Sequence, residues 1–143
     1  MADRSSSIDL IRSLVRADAE AYRRHLDQLD DTGWAEFGMS VGAAFYLATR
    51  QHFGSAYDAA DVIRLVADFR IDVAGVGFDV EPLVAERLIQ AALTDDTKLV
   101  EDLAPGVIVE TEMLMLWKLL GPLSDNELTL FFAEANALAD RWS

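Results

Sequence analysis

Few residues in this chain have types and spacings that could do chemistry. Gly38-Met39-Ser40-Val41-Gly42 matches G-x-S-x-G, the pattern that presents a serine nucleophile on a sharp strand-to-helix turn. That chemistry needs a strand before the serine, and an acid and then a histidine beyond it. Here the five residues fall inside a helical pattern. The one later histidine, His52, lies three turns further along the same helix and cannot fold back onto Ser40. Catalysis by Ser40 is therefore not expected. The same residues also match G-x-x-x-G, in which Gly38 and Gly42 let another helix approach closely. That helix would belong either to this chain or to a second copy.

A carboxylate offers a sharper anomaly. Glu112 falls between Ile108, Met115 and Leu119 on a helical arc that is otherwise apolar. Ionising a carboxyl among apolar neighbours is costly unless it is paired. Three ordinary outcomes are open: water at a helix edge, help from the nearby helix N-terminus, or pairing with Arg70 or Arg87. The functional outcome is an acid lining a pocket between helices, because perturbed carboxyls concentrate at sites. Such a pocket would also draw on Met113, Met115 and Trp117, and on His52 from the apolar face of its own helix. It would hold a small apolar ligand and have a volume of roughly 300 Å³ or more.

Arg12, Arg16 and Arg23 form a third group, a basic stripe on an otherwise acidic molecule. They suit either solvent or an acidic docking surface, including a second copy. Gly75-Val76-Gly77 lacks the third glycine and the preceding strand of a dinucleotide loop, so it is expected to end a helix and turn the chain. Metal chemistry has little to work with. The chain has no cysteine and two histidines, with no E-x-x-H pair and no EF-hand loop. Neither a metal nor a cofactor is expected.

The elements that must position these residues are helices. The stretch Gly106 to Leu120, GVIVETEMLMLWKLL, is apolar almost all round and needs cover from other helices. Helical spacing predicts that cover in four further segments. The first is Ile8 to Leu29, capped by Ser5 to Ser7, and the second is Trp34 to Phe53, ended by Gly54. The third is Asp58 to Val73, and the fourth opens at Asp79 with Pro82 in its first turn. After a break at Thr94 to Thr97 and a short Lys98 to Leu103 segment come the central helix and a last one to Arg141. The last begins in a capping box, Ser124 with Glu127. No alternating strand pattern is sustained. The expected fold is all-α, a single compact domain over 1–143 of five to six helices around 106–120, with residues 1–7 flexible.

Composition bounds the function. The 143 residues are 52% hydrophobic, which is enough for a core without staples. The net charge of −13 makes free nucleic acid a poor partner. No apolar run reaches the ~18 residues of a membrane span, and no signal peptide is evident. These features and the absence of cysteine suit the cytoplasm, and the richness in Ala, Asp, Val and Arg resembles the output of a GC-rich bacterial genome. The leading expectation is a small acidic interaction or regulatory protein, not an enzyme, acting on another protein or on a second copy of itself. The alternative is a bundle, ligand-binding or enzymatic, with a pocket beside Glu112.

Overall fold

The computed structural model describes residues 5–18, 20, 21, 24, 27 and 31–142, with the side chains of 5, 6 and 31–34 excluded. The described residues are all-helical, with no strand. The helices are α1 (Ser5–Val15), α2 (Asp31–Phe53), α3 (Ala59–Ala74), α4 (Pro82–Thr94), α5 (Pro105–Leu120) and α6 (Asp125–Trp142). A short 3₁₀ turn, Thr97–Leu99, joins α4 to α5.

Two helices form the spine. α2 packs on α1, α4, α5 and α6, while α5 packs on α1, α2, α3 and α4. The apolar circumference of α5 is divided between two cores. Met113, Leu116 and Leu120 meet Leu10 and Ile11 of α1, Phe37 and Val41 of α2, and Phe131 and Phe132 of α6. Leu114 and Met115 meet Phe69 of α3, Ile89 of α4 and Phe45 of α2. A helix that is apolar on one stripe could serve only one of these, so the all-round hydrophobicity of α5 is what lets it join them.

Local chemistry sets the ends of the elements. Asp58 accepts from the Asp61 amide and the Asp61 carboxylate accepts from the Asp58 amide, a reciprocal cap on α3. Ser124 and Glu127 do the same for α6. Gly77, at φ 89°, ends α3: its amide donates to Ala74 and that of Phe78 to Val73. Pro82 opens α4, but the residue at its cap is Glu81, not Asp79, and no side chain caps it.

The expected first helix is shorter than its periodicity implied. Ser5–Ser7 already belong to α1, and Ser7 is buried, so the expected flexible start does not extend to them. Residues 1–4 lie outside the described residues. α1 stops at Val15 rather than running to Leu29. Ala17 turns left-handed (φ 55°), and the amides of Ala17 and Asp18 close back onto Leu14 and Ser13. The Asp18 carboxylate then accepts from Ala21, capping a new turn. No helix among the described residues is long and apolar enough to cross a membrane.

Candidate ligand cleft beside Glu112

Glu112 sits one turn beyond Ile108 on the same face of α5, and that face does not close fully against its neighbours. A cleft of about 270 Å³ remains, with Ile108 and Glu112 on one wall. α2 supplies Gly42, Phe45 and Tyr46, spaced so that all three share a face. α4 supplies Leu88, Ala91 and Ala92 at the same spacing, and Asp95 follows them. Thr97 and Val100 from the 3₁₀ segment, and Trp142 at the end of α6, complete the lining. At Gly42 the wall has no side chain, and a methyl group built there meets no atom within 4 Å.

The deep part of the cleft is apolar. Phe45, Leu88 and Ala92 are buried, and Glu112 among them is only 8% exposed. No described residue hydrogen-bonds or ion-pairs with its carboxyl. Burial alone pushes it from an ordinary value of 4.5 to about 8, so it holds its proton at neutral pH. Neither arginine considered as its partner reaches it. Arg87 donates to the Leu99 carbonyl at 2.8 Å and pairs with Asp102, while Arg70 is exposed.

The mouth is polar and ordered. The Tyr46 hydroxyl donates to Asp95 at 2.7 Å, and Arg50 donates to the other Asp95 oxygen at 2.9 Å and to the Ala92 carbonyl at 3.0 Å. The Arg50 guanidinium stacks 4.5 Å from the centre of the Tyr46 ring, and Trp142 meets that ring edge-on at 5.5 Å. Asp95 has a left-handed backbone (φ 57°) at the end of α4. Burial first, and then the bond to Asp95, raise the Tyr46 phenol above its ordinary value.

The other residues singled out in the sequence lie elsewhere. Met115 is fully buried in the α3–α4 core. Met113 packs into the opposite core. Trp117 is half-buried and lines a different cleft of about 350 Å³, with Leu14, Val76 and Phe78. Ser13 there donates to the Leu10 carbonyl and the exposed Asp18 accepts from Ala21, so that cleft holds no buried carboxyl comparable to Glu112. His52 is exposed instead of facing the core, its ring edge-on to Phe53 at 4.9 Å. Ser40 is buried within α2, about 18 Å along the helix axis from His52, so the two form no catalytic pair.

The arginine stripe is occupied within the chain. Arg12 lies over the Phe132 ring and donates to Thr129. Arg16 donates to the Gly121 and Leu123 carbonyls and pairs with Asp125. Arg23 lies outside the described residues. Gly38, like Gly42, has nothing within 4 Å of a built Cβ, so among the described residues no helix packs closely on that flank. The described residues contain no cluster of His, Cys, Asp and Glu able to hold a metal. Tyr46, Arg50, Asp95 and Trp142 were not singled out in the sequence. Only the Tyr46–Arg50 spacing, one helical turn, was visible there.

Fold and site together define an all-α bundle with one unpartnered carboxyl in the wall of an aromatic cleft. Comparison with family models, curated proteins and solved structures returns no match.

Proposed function

We propose that this chain is a non-catalytic binding protein that takes a small, largely apolar molecule into the cleft, with Glu112 as its polar anchor. The observation that carries this is Glu112 itself, a carboxyl left without a partner where burying it is costly. Architecture alone would place leucine or methionine there. The volume of about 270 Å³ lies just below the range of small-molecule sites, roughly 300–1,000 Å³, and so suits a small ligand. Tyr46 and Arg50 both donate to Asp95, and Arg50 stacks on the Tyr46 ring, which suits an ordered mouth better than proton transfer.

The test is titration of the ¹⁵N-labelled protein with 1-octanol. Amide shifts at Gly42 and Ile108 and an indole shift at Trp142 are expected, and Gly42→Leu should abolish them by filling the cleft. Shifts confined to Leu114 and Trp117, or none, would overturn the proposal.

A second reading is an acidic interaction protein that binds a basic protein or a second copy. It draws on the charge of −13 and on Ile63 and Ile71, which stand 56% and 71% exposed on α3. The arginine stripe no longer supports it, since Arg12 and Arg16 are engaged internally. Light scattering that gives a monomer mass at high concentration would remove its homodimer form.

A further inference from the structure

We propose that the molecule taken by this cleft is an apolar amine, whose ammonium group pairs with the Glu112 carboxylate while its hydrocarbon lies against Phe45 and Ile108. This rests on the cleft being a ligand site. The chemistry of its polar lining sets the class. Asp95, Glu112, Thr97 and the Tyr46 hydroxyl line it, and no lysine, arginine or histidine does. Arg50, the cation at the mouth, is turned toward the Ala92 carbonyl and the Asp95 carboxylate, with which it pairs. An anionic head group would meet the Asp95 carboxylate, and a neutral one can hydrogen-bond to Glu112 but forms no charge pair with it. A cation meets opposite charge and the aromatic side chains of Phe45 and Trp142, the Tyr46 ring being already stacked by Arg50. The net charge of −13 draws cations toward the protein from a distance.

Proton balance follows. The empty cleft holds Glu112 as a neutral acid below about pH 8. When the ammonium form enters, the O–H bond of Glu112 breaks, its electron pair stays on the carboxylate, and the proton leaves to solvent. Binding at pH 7 therefore releases nearly one proton, and affinity rises about tenfold for each pH unit up to about 8. The other titratable groups lining the cleft are Tyr46 on α2 and Asp95 after α4, with Arg50 of α2 beyond them at the mouth. Arg87 of α4 is turned to Leu99 and Asp102, and α6 contributes Trp142, which does not titrate. The Tyr46 phenol is pushed above its ordinary value of 10, away from the neutral range.

Calorimetric titration with 1-octylamine, 1-octanol and octanoate, in buffers of different ionisation enthalpy, tests the assignment. Octylamine should bind at least tenfold tighter than octanol at pH 8.5, and octanoate weakest. Octylamine binding at pH 7 should release close to one proton. Glu112→Gln should remove both the amine preference and the proton release, and Gly42→Leu should block all three ligands. Octanol binding with no amine preference, or octylamine binding without proton release, would overturn the amine class and leave the cleft a ligand site. If none of the three binds, both proposals fall together.

Discussion

Replacing Glu112 with glutamine keeps the shape of the side chain and removes its ability to ionise. In the folded chain the carboxyl is held at about 8 against an ordinary 4.5, so the native state binds a proton that the unfolded chain has already lost. A raised carboxyl contributes no penalty below 4.5, where it is protonated in both states. Stability then falls as pH rises through the window from 4.5 to about 8, and the penalty is complete above that. At about 1.4 kcal/mol per tenfold change, that window corresponds to about 5 kcal/mol. Glu112→Gln should therefore match the parent in stability at pH 4 and exceed it progressively, by about 5 kcal/mol at pH 9. Urea unfolding of both proteins across this range reads the difference directly, because other titrating groups cancel between them. A difference that stays flat with pH would refute the burial of Glu112 as a lone acid.

Other substitutions probe the remaining parts of the account. Ala17→Gly should stabilise the fold by about 1 kcal/mol in urea unfolding, because Ala17 occupies a left-handed backbone position that glycine adopts without strain. Arg16→Ala should cost about 1–2 kcal/mol, and raising salt should hardly reduce the loss, since two of its three acceptors are the backbone carbonyls of Gly121 and Leu123. Asp125→Asn, which removes an exposed ion pair and one first-turn carboxylate of α6, should cost under about 1 kcal/mol. Gly38→Ala should raise the thermal midpoint, gaining about 0.5–1 kcal/mol, because it lies inside α2 with room for a methyl group. A loss there, accompanied by a lower mass in solution, would instead reveal a second copy packed on that flank.

The helical class and most helix starts were legible in the sequence because each rests on local chemistry. The Ser124–Glu127 cap, Pro82 in a first turn and the Gly77 ending all act within a few residues of chain. The break in the predicted first helix was hidden for the same reason. An alanine, not a glycine, takes the left-handed position at residue 17, and neither glycine nor proline marks the stop. Glu112 stood out because one polar residue interrupts an apolar arc. Its surroundings did not, since they come from four other parts of the chain. Met115 and Trp117 share its helix, but at three and five residues on they turn toward the core and a different cleft. His52 follows the periodicity of α2, yet it is exposed while its neighbour Phe53 packs against the core. Arg12 and Arg16 lie on a polar stripe, but a helical wheel cannot distinguish water from a neighbouring helix that offers carbonyls.

The most direct test of the Glu112 cleft is a ¹³C NMR titration of the Glu112 side-chain carboxyl, with and without 1-octylamine. The account predicts a midpoint near 8 for the free protein. A saturating amine should move that midpoint down by more than one pH unit, and octanol should not lower it. A midpoint close to 4.5 in the free protein, or one near 8 that octylamine leaves in place, would contradict it.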